Sequence, residues 1–102
     1  MTKNHILGLD IAQNSAVTQL DRADGTKCWR GTLPTSQAGW QQLEKILAEH
    51  GARLPDTLVL LEATGVYHLP WAERLHQAGA EVYVLNPLLA ARLQSAANAL
   101  RE

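Results

Sequence analysis

His5-Ile6-Leu7-Gly8-Leu9-Asp10-Ile11-Ala12 is a nearly unbroken apolar run carrying one carboxylate near its end. Such a run suits a strand buried on both faces, because a half-exposed strand would alternate apolar and polar residues. Thr57-Leu58-Val59-Leu60-Leu61-Glu62 has the same character and also ends in a carboxylate, and Glu81-Val82-Tyr83-Val84-Leu85 reads as a third inner strand. Ser15–Arg22 and Thr26–Leu33 are β-tolerant stretches on either side of Ala23-Asp24-Gly25. Asp-Gly between such runs signals a hairpin, since both residues tolerate positive φ. The first three strands therefore form an antiparallel meander.

The remaining segments carry helical signals. Thr35 or Ser36 offers an N-cap, and Trp40, Leu43, Ile46, Leu47 and His50 recur at helical spacing before a stop at Gly51. Pro70 fits the first turn of a helix running to Ala78 and closed by Gly79. Asn86-Pro87 is a cap with proline at the first helical position, and Leu89, Leu93, Ala96, Ala97 and Leu100 mark the inner face of a last helix. The order is β-β-β-α-β-α-β-α. Right-handed crossovers place strand 57–62 beside the first strand, away from the hairpin. The expected result is a mixed five-stranded sheet of order 3-2-1-4-5 with helices on its faces. This is a ribonuclease H-like α/β architecture, shared with the lobes of actin-like ATPases.

Composition bounds the reading. The chain has 102 residues, so residues 1–102 are read as one domain. No apolar stretch approaches the ~20 residues of a membrane helix. One cysteine, Cys28, excludes an internal disulfide. With no signal-like leader, the expected setting is the cytoplasm. The formal net charge of −1 lacks the basic excess of a stand-alone polyanion binder.

Asp10 and Glu62 carry the chemistry. They sit at equivalent ends of two strands expected to be parallel neighbours, about 4.8 Å apart. Open α/β sheets place their sites at this carboxyl edge. Two unit charges about 5 Å apart repel by about 3 kcal/mol at an effective dielectric near 20. A divalent cation relieves that repulsion, and hard oxygen donors select Mg²⁺ or Mn²⁺. Taken singly, each is more simply a turn or cap residue; their joint position favours a metal site. Thr64 and Gly65 supply the turn after Glu62, with phosphate contact as the sharper alternative. Tyr67 and His68 lie close enough to be substrate-proximal, against the plainer reading of packing on the next helix. His5, His50 and His76 lack metal-ligand spacing and read as surface or half-buried. Trp29, Trp40 and Trp71 read as packing residues in a chain with no Phe.

Three stretches together resemble a known family: Leu7-Gly8-Leu9-Asp10-Ile11-Ala12, Leu61-Glu62-Ala63-Thr64-Gly65-Val66-Tyr67-His68 and Val82-Tyr83-Val84-Leu85-Asn86-Pro87. In this order and spacing they look like the N-terminal domain of DEDD transposases of the insertion sequence 110 type, related to the pilin-gene invertases. The resemblance implies a RuvC-like catalytic domain in which four acids bind divalent metal for DNA cleavage and strand transfer. Asp10 matches the first acid and Glu62 the second. The others belong to a Lys-Thr-Asp-x-x-Asp-Ala segment that Glu102 does not match, so the chain reads as an N-terminal fragment of a longer transposase, inactive by itself. DNA is the implied substrate and a guide RNA an implied partner. The apolar stripe of the last helix leaves a homo-oligomeric contact open.

Other classes stay in view. One lobe of an actin-like ATPase or sugar kinase also opens on Gly-x-Asp, but Ala12-Gln13-Asn14 is a poor phosphate turn. A resolvase-like nuclease would carry further acids on the last helix, and a non-catalytic ribonuclease H-like domain would serve protein contacts alone.

Overall fold

Leu7, Leu9 and Ile11 alternate with Ile6, Gly8 and Asp10 along the first strand, and the first three are sealed from solvent while Asp10 is exposed. That alternation sets the architecture of a computed structural model describing residues 3–63 and 65–85. The elements are β1 (His5–Ile11), β2 (Ser15–Arg22), β3 (Lys27–Pro34), α1 (Gln37–Glu49), β4 (Thr57–Ala63), α2 (Leu69–Gln77) and β5 (Glu81–Leu85). A single 3-10 turn, Leu54–Asp56, precedes β4. The sheet is five-stranded and mixed, in the order β3-β2-β1-β4-β5. β1–β2 and β2–β3 are antiparallel, whereas β1–β4 and β4–β5 are parallel. This is the expected strand order. The expected last helix and residues 86–102 lie outside the described residues.

α1 and α2 pack on the same face of the sheet. Leu43 and Leu75, one from each helix, share a buried cluster with Leu7, Leu20, Val59 and Leu61. Each such side chain contributes roughly 1.5–3 kcal/mol when fully buried. Trp40 of α1 and Trp71 of α2 meet edge to face, with centroids 5.6 Å apart and planes at 86°. The Trp71 indole Nε1 donates to the Thr35 carbonyl at 3.3 Å, which satisfies its one polar atom. Trp29, half-buried, lies over Gly31 at the sheet's edge. Among the described residues, β1 is thus covered on one face and open on the other. No described helix is long and apolar enough to cross a membrane.

Local chemistry fixes the boundaries. Ser36 caps α1, its Oγ accepting from the Gly39 amide at 3.4 Å. Both helices end in the same closure. Ala52 N donates to Leu47 O and Gly51 N to Ala48 O, and Ala80 N to Leu75 O and Gly79 N to His76 O. Ala52 and Ala80 are both buried, the apolar contact that accompanies this motif.

The β2–β3 hairpin forms as expected, but by a different turn. Asp24 does not adopt a positive φ; Gly25 does, at 95°. The Asp24 carboxylate instead accepts from the Thr26 amide at 2.9 Å, a bond that lowers its pKa. Arg22 N donates to Thr26 O at 2.8 Å, closing a three-residue loop.

His5 also departs from expectation. It has the parity of Leu7, Leu9 and Ile11, and is buried, with neither imidazole nitrogen hydrogen-bonded to the described residues. Burial lowers its pKa below 6.5, helped by the positive charge of Arg22 and by His50.

Two outcomes follow. An ideal Cβ on Gly39 would lie 1.6 Å from the Pro34 carbonyl oxygen, a backbone atom that cannot step aside. Gly39→Ala should destabilise the fold by about 3 kcal/mol and lower the melting temperature by on the order of 15 °C in thermal unfolding. His5, buried neutral, disfavours its protonated form in the folded state. Stability should therefore hold at high pH and fall as pH drops through about 6.5, where the unfolded chain takes up the proton. Urea unfolding from about pH 7.5 to 5 should show this decline, and His5→Leu should flatten it.

Candidate functional site

Parallel pairing of β1 with β4 matches Ile6 to Leu58, Gly8 to Leu60 and Asp10 to Glu62. Cross-strand partners share a face, so both carboxylates stand side by side on the open face, at the carboxyl ends of their strands. Asp10 is exposed and Glu62 half-buried. Water therefore screens the pair, and its repulsion falls well below the value for a low-dielectric site.

The two carboxylates border a cavity of about 450 Å³ on the open face. Its floor is apolar, from Ile6, Leu60 and Leu85, with Gln19 and Thr32 on one side. An ideal Cβ on Gly8 would sit 3.1 Å from the Gln19 side chain, so glycine keeps this floor low. Arg30 lines the same cavity, but its charge is engaged. Its Nη2 lies 2.7 Å from Asp21 Oδ1, and its Nη1 donates to the carbonyls of Trp29 and Leu20. Among the described residues, no group of three or more His, Cys, Asp or Glu is placed to hold a metal. Two adjacent hard-oxygen donors, both open to water, nevertheless suit a partly hydrated divalent cation.

Of the other candidate residues, Tyr67 lines a different cavity from the carboxylates. Thr64 lies outside the described residues. Gly65 turns the chain after β4 with φ +74°, a conformation that favours glycine. Tyr67 is 47% exposed and is not packed into the α2 interface. His68 occupies the N-cap position of α2 without a side-chain capping bond. Tyr67 lines a second cavity, of about 340 Å³, at the same sheet edge but on the helix side. Gln13, Ser36, Gln37, Trp71 and Arg74 line it too. Sequence reading passed over Arg74. The available signal was the spacing of Trp71 and Arg74, three apart, which puts them on one face of α2.

Residues 7–101 match the transposase family of the DEDD, insertion sequence 110 type. The chain belongs to this transposase family. A comparison with curated proteins gives no match. Among solved structures, the chain is similar to a putative N-acetylglucosamine kinase from Chromobacterium violaceum, with TM-score 0.57 and 16% identity over 82% of this chain. It is likewise similar to YeaZ from Pseudomonas aeruginosa, with TM-score 0.57 and 12% identity over 84% of this chain. It spans 35% and 43% of those two chains, so the likeness is one of fold within a larger protein.

Like charges held in register should oppose folding when no cation is present. Asp10→Asn and Glu62→Gln are each expected to raise stability in EDTA by up to about 1 kcal/mol. The gain should shrink when thermal unfolding is repeated at about 1 M salt, where screening is strong.

Proposed function

We propose that this chain is the ribonuclease H-like, RuvC-like catalytic domain of a DNA transposase. The observation that carries the reading is the Asp10–Glu62 register at the carboxyl edge of a sheet whose sequence belongs to a transposase family. Asp10 and Glu62 would hold Mg²⁺ or Mn²⁺ through their carboxylate oxygens, each strand end fixing one donor. The bound ion would supply activation of the attacking oxygen and neutralisation of charge on the scissile phosphate. Gly8 and the apolar floor keep the approach to both carboxylates open. Two carboxylates do not by themselves complete a two-metal centre. The chain alone is therefore expected to bind metal weakly and to leave DNA uncut, with DNA cleavage and strand transfer belonging to a larger transposase guided by RNA.

The solved structures favour one second reading, a lobe of an actin-like ATPase or sugar kinase, because the fold is common to both. The turn after Asp10 speaks against it. Ala12-Gln13-Asn14 is closed by Ala12 N donating to Ser15 O at 2.9 Å and offers no glycine-rich or hydroxyl-rich phosphate cradle.

Titration with Mn²⁺, followed by calorimetry or paramagnetic resonance, tests the metal role. Asp10→Asn and Glu62→Gln should each weaken binding by about tenfold or more. Unchanged binding in both variants would exclude the carboxylate pair as the site.

A further inference from the structure

The groove on the helix side of the carboxyl edge is lined by residues other than Asp10 and Glu62. Among the described residues, Arg74 is the only charged one lining it. Its guanidinium is held in place twice, 4.3 Å above the Trp40 ring and by Nη1 donating to Gln37 Oε1 at 2.8 Å. One face of the guanidinium is thus fixed on an indole, while its other donors can meet an anion. Tyr67 stands across the groove, 47% exposed. Gln13 and Gln37 add neutral amides that can donate to or accept from base edges.

We propose that this groove binds an unpaired nucleic-acid segment, with Arg74 on a backbone phosphate and Tyr67 stacked on a base. The assignment rests on the transposase reading and extends it to a second surface. A fixed guanidinium beside an accessible aromatic ring is the combination that single strands use, since every base has a π face and every nucleotide a phosphate. A groove of about 340 Å³ is of the size that encloses small ligands, too small for a duplex. Gln13 of the groove follows Asp10 by three residues at the carboxyl end of β1, which puts the groove at the same sheet edge as the carboxylates.

The test is fluorescence anisotropy with the 102-residue chain in EDTA and low salt, against unpaired DNA, unpaired RNA of the same sequence, and duplex DNA. An unpaired strand should bind more tightly than the duplex, and the better of the two identifies its source. Tyr67→Ala should weaken binding about fivefold or more, and Tyr67→Phe should retain it. Arg74→Gln should weaken binding and reduce the slope of log affinity against log salt by about 0.7, with Arg74→Lys restoring the slope. If removing Arg74 from Trp40 unfolds the chain in a melting control, the exposed Tyr67 pair decides alone. No measurable binding, equal binding of duplex, or an unaffected Tyr67→Ala would overturn the proposal. EDTA separates this result from the metal reading, which stands or falls on the Mn²⁺ titration.

Discussion

Everything at the carboxyl edge depends on the register of β1 against β4. In a parallel pair each residue has one partner, and slipping by one would send Glu62 to the opposite face from Asp10. The register is held by burial. Leu7, Leu9 and Ile11 on β1, with Val59 and Leu61 on β4, must all face α1 and α2. A slip of β4 would turn Val59 and Leu61 away from the helices, at roughly 1.5–3 kcal/mol each, and turn the Glu62 carboxylate inward, together more than the screened repulsion of the carboxylate pair. The core therefore imposes the juxtaposition that the site needs, and the site contributes nothing to holding it.

The helix layer answers to a different constraint. Trp40, Trp71 and Arg74 form a stack between α1 and α2 that ties the start of α2 to the start of α1. Gly39 permits the approach, since α1 begins in contact with the Pro34 carbonyl where no side chain fits. The indole bond to Thr35 O and the Thr35 hydroxyl bond to Gln13 O at 2.8 Å then link this stack to the β1–β2 turn. The groove is thus a product of tertiary packing, assembled from three connections that are distant in sequence.

That difference explains what could be read from the sequence. Strand order, the spans of the first two helices and the Asp10–Glu62 register follow from apolar runs, caps and the handedness of crossovers, all local or general rules. The hairpin was legible but its turn type was not, because the Asp24 carboxylate competes for the Thr26 amide and removes any need for a second positive φ. His5 shares its parity with the core of β1, yet a lone polar residue at a strand start gives no measure of its burial. Tyr67 was expected beside the carboxylates or packed on α2, and its place in the helix-side groove was not legible, because that depends on how the turn after β4 is folded. Arg74 was missed because its partners, Trp40 and Gln37, come from another helix.

The two surfaces are coupled through one short connection. Glu62 ends β4 on the open face; Gly65 turns the chain; Tyr67 then emerges on the helix side, and Trp71 anchors α2. Gly65 holds the positive φ of this turn, and Tyr67 lines the helix-side groove while Glu62 lines the cavity on the open face. The carboxylate face and the face that carries Tyr67 and Arg74 thus meet at one sheet edge. In the proposed transposase, a strand spanning this rim would meet both surfaces, and holding reacting groups near one another is how binding lowers the barrier of such a step.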